Sequence, residues 1–537
     1  MQEWRRLREL DIPFLQSGLS SSIVVKFIML ILCLSLAVPG VVAAASDEKQ
    51  PAHVLIVYDS LALGSAKEGN IEALKRMVAA FGASATVQSF DQYVQGSISS
   101  YEYVIGVRNR NDLSAGSTGF LQDLSAYQGA YLHIGANLPD SKRATLQLKE
   151  ESRAKETVSL SIGQLTESSI KVGDGRFIAS YDGVGYGTIT MDGQQGTHPY
   201  GVRNGSTAYI PHYEKGNLSE LALGYLLKDW LKSEKQTQLY VLFTEIYPFS
   251  DLKALVRLAD SLYDAGIPFI VSVRPVFSNT DYPAMKRYLE ALKHVQSRNG
   301  SVVVQAPNVS ATISQDMTTL DLKMAEFINV LADYGIAPLG VGSEMYWVYD
   351  QHYNTKGMGA FDSSVLFPNE EIKHMARVDT SKAFSSSLYT IDMNRIEQLQ
   401  RKDLYLDPLP MDTALVLDFP SDEEELEATI DQLMEEWTSF GDYKNISHAV
   451  HTEKHDISSR GGILYFNGQA VTLNAADRLI SSEYEYIAKG EKSFEKLFTM
   501  QNKILIVLIL LSLFIFGCFL IIGYRMYKRK YVIRRRL

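Results

Sequence analysis

Seven polar residues stand where short apolar runs give out in the second half of the chain. They are Thr244 and Glu245 after "QLYVLF", Arg274 after "PFIVSV", Gln305 and Asn308 in "SVVVQAPN", Glu344 after "APLGVGS" and Asp418 after "TALVL". Glu245, Glu344 and Asp418 are carboxylates, and two carboxylates held close together can serve as an acid/base pair of the kind that glycosidic hydrolysis uses. Thr244, Arg274, Gln305 and Asn308 offer hydrogen bonds instead. Tyr247, Phe277, Tyr346 and Trp347 lie close by in sequence and offer aromatic faces, so the same set can hold a polar ligand by stacking and hydrogen bonding with no chemistry.

Other chemistries find little footing. The two cysteines, Cys33 and Cys518, both lie in long apolar segments, which leaves no thiolate and no disulfide between them. No G-x-S-x-G elbow is present. "GDGRFIASYDGVGYG" is glycine-rich but falls between alternating segments rather than between a strand and a helix, so it does not read as a phosphate loop. "YDSLALGSAKEGN" lacks the G-x-G-x-x-G spacing, and its Ser60, Ser65 and Lys67 read as ordinary loop residues. In "SHAVHTEKHD", His448, His451 and His455 are spaced to share one face of a helix, as a metal site or a late catalytic acid would require; the polar neighbours favour a solvated loop or short surface helix.

The elements that must position the polar set form a βα series over residues 238–480. Continuous apolar strands alternate with amphipathic helices such as "SDLKALVRLADSLYDAG" and "LDLKMAEFINVLADYG", a rhythm that predicts a (β/α) barrel, complete or missing a strand. Functional groups of such barrels sit at the carboxyl ends of the strands, where the seven residues fall. Residues 50–235 begin with a second βα rhythm, "HVLIVYDS" then "EGNIEALKRMVAAFG" then "ATVQSF", which predicts a doubly wound, flavodoxin- or Rossmann-like α/β domain. Residues 155–212 alternate in Thr, Ser, Gly and Tyr and predict an antiparallel β-rich extension of it.

Both ends carry membrane signals. Residues 1–45 read as a signal peptide or an N-terminal anchor, with a basic start, an apolar stretch and Ala43–Ala45 at its close. Residues 504–523 form an uncharged apolar run long enough to span a bilayer, followed by a basic tail over 524–537. The positive-inside rule then predicts a single-pass membrane protein with a cytoplasmic C-terminus and its main domains outside. The chain carries a formal charge of −10, and its two ends are net positive, so the region between is more acidic still. That field disfavours nucleic acid and suits a cationic polymer, such as an amino-sugar-containing polysaccharide.

"FTEIYPFSDLKALVRLADSLYDAGIPFIVSVRPVF", followed by a helix and "GSVVVQAPNV", resembles the opening of the polysaccharide deacetylase (NodB-homology) superfamily. It is similar to the branch whose members read "DD-x-Y-P", then "GIPF-x-x-x-x-x-P", then "H-G-x-x-H". Tyr247-Pro248, Gly266-Ile267-Pro268-Phe269 and Pro275 fall in order at that spacing. The resemblance covers residues 238–345 closely and fades toward 475. It implies a barrel of deacetylase type, with one aspartate as base and a second aspartate and two histidines holding a divalent metal such as zinc.

Carried over by position, the base aspartate falls on Thr244, the metal aspartate on Glu245 and the histidine pair on Gln305 and Val309. Thr244 supplies no carboxylate and Val309 no lone pair, so no cofactor is expected. The resemblance therefore implies a membrane-anchored protein of deacetylase type that has lost catalysis and serves exopolysaccharide or cell-envelope glycan binding or assembly. Two alternatives stand beside it: an active carbohydrate esterase, N-deacetylase or hydrolase with rearranged residues among Glu245, Glu344 and Asp418, and a structural scaffold for a membrane-bound glycan synthase.

Overall fold

Leu239 through Phe243 are each 2% exposed or less, so this strand is covered on both sides, which is what a barrel demands of its wall. It is the first of seven parallel strands, Leu239–Ile246, Phe269–Val273, Gly300–Gln305, Pro338–Glu344, Ser363–Phe367, Ser386–Asp392 and Thr413–Asp418, that close into a barrel. Closure comes from the register of the first strand with the last, in which Leu239 pairs with Thr413 and Thr244 with Asp418. The computed structural model describes residues 51–471 and 494–529, apart from 114–116, 154–155, 174, 192–195, 308–316, 370–378, 401–406, 421 and 436–438. The N-terminal segment 1–45, Asn308, Val309 and the tail from residue 530 lie outside the described residues.

The helices that wrap the barrel follow from local chemistry. In Leu252–Asp264, Leu255, Leu258, Ala259 and Leu262 recur at helical spacing and are buried, while the Asp251 side chain accepts from the Lys253 and Ala254 N–H groups and caps the first turn. Two of the seven strands are ones the sequence pattern does not single out. Ser363–Phe367 and Ser386–Asp392 each open on a serine pair, which reads as loop, yet tertiary burial makes them barrel wall.

The N-terminal half supplies nine strands of a ten-stranded sheet. Strands Ser84–Ser89, His53–Tyr58, Tyr103–Arg108, Ala130–Gly135 and Thr207–Ile210 lie side by side and parallel. Antiparallel strands Thr197–Asn204, Val184–Met191, Glu156–Ile162 and Leu165–Val172 extend the same sheet. Alternate residues of the central strand face opposite ways: Val54 and Ile56 join the apolar cluster that also holds the barrel, whereas Leu55 and Val57 pack with Phe120 and Leu124.

The two halves share structure. Asp379–Thr380, from the connection between the fifth and sixth barrel strands, pairs with Val87 and Thr86 as an edge strand of the N-terminal sheet. Helix Asn70–Ala80 carries Arg76 to the sixth barrel strand. There its guanidinium donates to the Tyr389 hydroxyl at 2.5 Å and to Thr390 O at 3.3 Å, and pairs with Glu220 at 3.1 Å, all of it buried.

A small antiparallel sheet, His448–His451, Asp456–Arg460, Ile463–Phe466 and Gln469–Ala470, closes the amino end of the barrel. Phe361 bridges to Val450 just before the fifth strand, and Lys444 Nζ donates to Asn299 O just before the third. Beyond it, helix Phe494–Tyr527 includes a stretch, Leu505–Tyr527, that is long and apolar enough to cross a membrane.

Candidate functional site

With the amino end covered, the carboxyl ends of the strands are the side of the barrel where loops can present chemistry. Parallel pairing brings Thr244 level with Asp418, and the Thr244 hydroxyl donates to Asp418 Oδ1 at 3.3 Å. The next residue breaks the pattern. The register shifts between Phe243 and Ile246, and Glu245 has φ +61°, the left-handed region that a side-chain-bearing residue enters at a cost. The bulge turns Glu245 outward and brings its Oε1 to 3.2 Å from Arg274 Nη2 at the end of the second strand. Arg274 Nε is buried with no hydrogen-bond partner among the described residues.

Gln305, at the end of the third strand, lies deeper. Ser272 donates to its Oε1 at 2.5 Å, and Gly342 of the fourth strand leaves the room it occupies: a Cβ there would stand 2.8 Å from that same oxygen and 2.7 Å from Phe367 Cε2. Glu344 ends the fourth strand, half-buried, and opens the short helix Met345–Tyr349, whose first N–H donates to Asn369.

The aromatic candidates divide. Tyr346 and Trp347 lie on that helix and are buried; Trp347 is 1% exposed, 4.6 Å from Tyr353 by ring centroid, with Gly357 against its edge. They pack the helix onto the barrel rather than facing solvent. Phe277 is partly buried against the core. Tyr247 is stacked at 5.1 Å and 13° on Phe249, which is 84% exposed. Phe249 was not among the residues singled out from sequence; its signal is a large apolar side chain in the polar turn "YPFSD", between a strand end and a helix cap.

The three late histidines are neither helical nor at this end. They lie on and beside the β-hairpin that closes the amino end, because Val450 and Ile457 alternate with polar residues at period two. His448 is buried between the Ser363 hydroxyl, 2.9 Å from Nδ1, and Tyr443 O, 2.7 Å from Nε2. Burial pushes its pKa down to about 4. His451 pairs with Asp456 and His455 with Asp333. A five-residue strand, about 17 Å, separates this cluster from the mouth.

The residues described at the mouth do not fit a divalent ion. The Glu245 carboxylate faces a guanidinium and the Gln305 oxygen is engaged by Ser272. Among the described residues no group of three or more His, Cys, Asp or Glu side chains is placed to hold a metal. What the arrangement offers is hydrogen-bond donors, acceptors and an exposed aromatic face around a barrel mouth.

No protein-family model matches the chain. Among curated proteins, the uncharacterized protein YdaL of Bacillus subtilis (strain 168) is 31% identical over 140 residues, which span 22% of this chain and 24% of that protein. The chain thus matches about a quarter of that relative's length. Among solved structures, the carbohydrate deacetylase Agd3 superposes with a TM-score of 0.30 and 8% identity, covering 78% of this chain and 91% of that one. At that score the likeness carries no argument.

Proposed function

We propose that this protein is a membrane-anchored, extracytoplasmic member of the polysaccharide deacetylase type that binds a cell-envelope or exopolysaccharide glycan without deacetylating it. The observation that carries the reading is the Glu245–Arg274 ion pair. At the position where the resembling family holds a dication, this chain sets a guanidinium against the carboxylate, and that fixed positive charge offsets the attraction the carboxylate would exert on a cation. Thr244 and Asp418 then act as a hydrogen-bonded pair rather than as a base and its support.

Support for the rest is of three kinds. The apolar stretch Leu505–Tyr527 and the basic residues after it favour anchoring with the C-terminus inside. The parallel strand order of the first half, with its second strand outside its first, favours a Rossmann- or flavodoxin-like unit. The acidic chain favours a neutral or cationic glycan.

The test is binding of the purified full chain in detergent to an immobilised panel of bacterial polysaccharides, with and without EDTA, alongside acetate release from N-acetylated oligomers. The expected result is binding indifferent to the chelator and no acetate released. Acetate release that EDTA abolishes contradicts the reading and favours an active N-deacetylase.

A further inference from the structure

The most exposed large apolar side chain outside the membrane-spanning helix, among the described residues, belongs to Phe249, on the rim of the barrel mouth. An exposed apolar residue alone needs no explanation. This one differs in how it is held. Its ring lies nearly parallel to that of Tyr247, 13° and 5.1 Å apart, so one face is backed and the other is left open. The turn beneath it is pinned at several points: Ser250 Oγ accepts from Tyr247 N at 2.9 Å, Ser250 N donates to Tyr247 O at 3.1 Å, and Asp251 caps the following helix. The ring is thus presented on a fixed base, and ligand binding there orders little chain.

Its surroundings select what it can take. Phe249 lies four residues beyond Glu245, whose side chain is 59% exposed and paired to Arg274, and five beyond Thr244, which is bonded to the exposed Asp418. Charged donors and acceptors at the ends of the strands whose loop carries this open aromatic face match a ring that has an apolar C–H face and a hydroxylated edge. Carboxylates on the rim oppose anionic lipid headgroups and nucleic-acid phosphates, both of which need cations there.

Resting on the glycan-binding reading above, we infer that Phe249, backed by Tyr247, is a sugar-stacking subsite that takes the axial C–H face of a neutral or amino hexopyranose at the rim of the mouth.

The test uses the full chain in detergent with three probes, the β-1,4-linked hexamers of glucose, N-acetylglucosamine and glucosamine, and measures affinity together with saturation-transfer contacts to the sugar ring protons. The exposure of Phe249 means that Phe249→Ala leaves the thermal midpoint unchanged, which is checked first. Expected is a loss of about tenfold in affinity for at least one probe in Phe249→Ala and Phe249→Leu, restored by Phe249→Trp or Phe249→Tyr, with ring C–H contacts that vanish in the alanine variant. If Phe249→Ala binds as the parent while Asp418→Asn or Arg274→Gln weakens binding, the subsite is overturned and the glycan-binding reading stands. If the parent binds none of the three hexamers nor any polysaccharide of the wider panel, both fall. If, in the chain reconstituted into phosphatidylglycerol vesicles, Phe249→Trp adds fluorescence that brominated lipid quenches, while Phe249→Ala keeps its glycan affinity, the rim is a membrane contact and the inference is wrong.

Discussion

Arg274 Nη2 lies 3.2 Å from Glu245 Oε1, joining the ends of the first two barrel strands, which are neighbours, at the rim of the mouth. The pair exists because a bulge throws Glu245 into left-handed backbone, φ +61°. A residue with a Cβ held there costs about 1 kcal/mol, and the exposed pair returns at most about as much.

That conformation sets an unusual order of variants. Replacing Glu245 by glycine ordinarily destabilises more than replacing it by alanine, through the extra freedom glycine gives the unfolded chain. Here Glu245→Gly is expected to be more stable than Glu245→Ala by about 1 kcal/mol, since only glycine enters the left-handed region without penalty. Urea denaturation of the two variants checks it.

Trp347 is expected to behave as a core residue. Trp347→Ala removes a side chain 1% exposed and packed at a tilt against Tyr353, and should cost about 3–5 kcal/mol. Any loss of glycan binding in it should track the loss of folded protein, read by circular dichroism on the same samples.

Arg76 ties the N-terminal helix to the sixth barrel strand, and Arg76→Met leaves Glu220 buried without its charge partner. Such a truncation costs about 3–5 kcal/mol. Burial pushes the Glu220 carboxyl up, but Arg76, the Tyr389 hydroxyl and the Gly216 N–H together outweigh it and hold the folded pKa below the ordinary value. A depressed carboxyl contributes stability above its unfolded pKa and loses it as pH falls through the folded one, so the parent should weaken in acid below about pH 4.5. The double variant Arg76→Met, Glu220→Gln should recover stability over the single one and lose that acid dependence.

His448 adds a second acid sensitivity. Its folded pKa of about 4 lies below the unfolded value, so the unfolded chain takes up the proton first. Stability is full above about pH 6.5 and falls toward pH 4 by at most about 1.4 kcal/mol per unit. His448→Gln should flatten that limb by its own share; His133, pushed down to about 3, contributes in the same direction.

Much of this architecture was legible in the sequence because it is written in periodicity. Continuous runs such as "YVLF" and helix faces such as Leu255, Leu258 and Leu262 point to a barrel, and five of its strands are evident on that ground. Ser363–Phe367 and Ser386–Asp392 were not, since their serines are buried by tertiary packing that local pattern does not encode. At the mouth, strand-end positions located Thr244, Glu245, Arg274, Gln305, Glu344 and Asp418, while the pairings among them depend on register and on one bulge. The histidine spacing suits a helix and is equally met by a hairpin, whose alternation is set by Val450 and Ile457. Phe249 escaped because exposure is a property of the folded turn.

On the proposed reading, the barrel mouth sets a guanidinium where the resembling family holds a metal. Elemental analysis of the full chain, purified without chelator and dialysed against metal-free buffer, tests it most directly. Well under one equivalent of zinc, manganese, iron, cobalt or nickel per chain is expected, unchanged in Glu245→Ala. One equivalent of any of them, lost in Glu245→Ala, contradicts it.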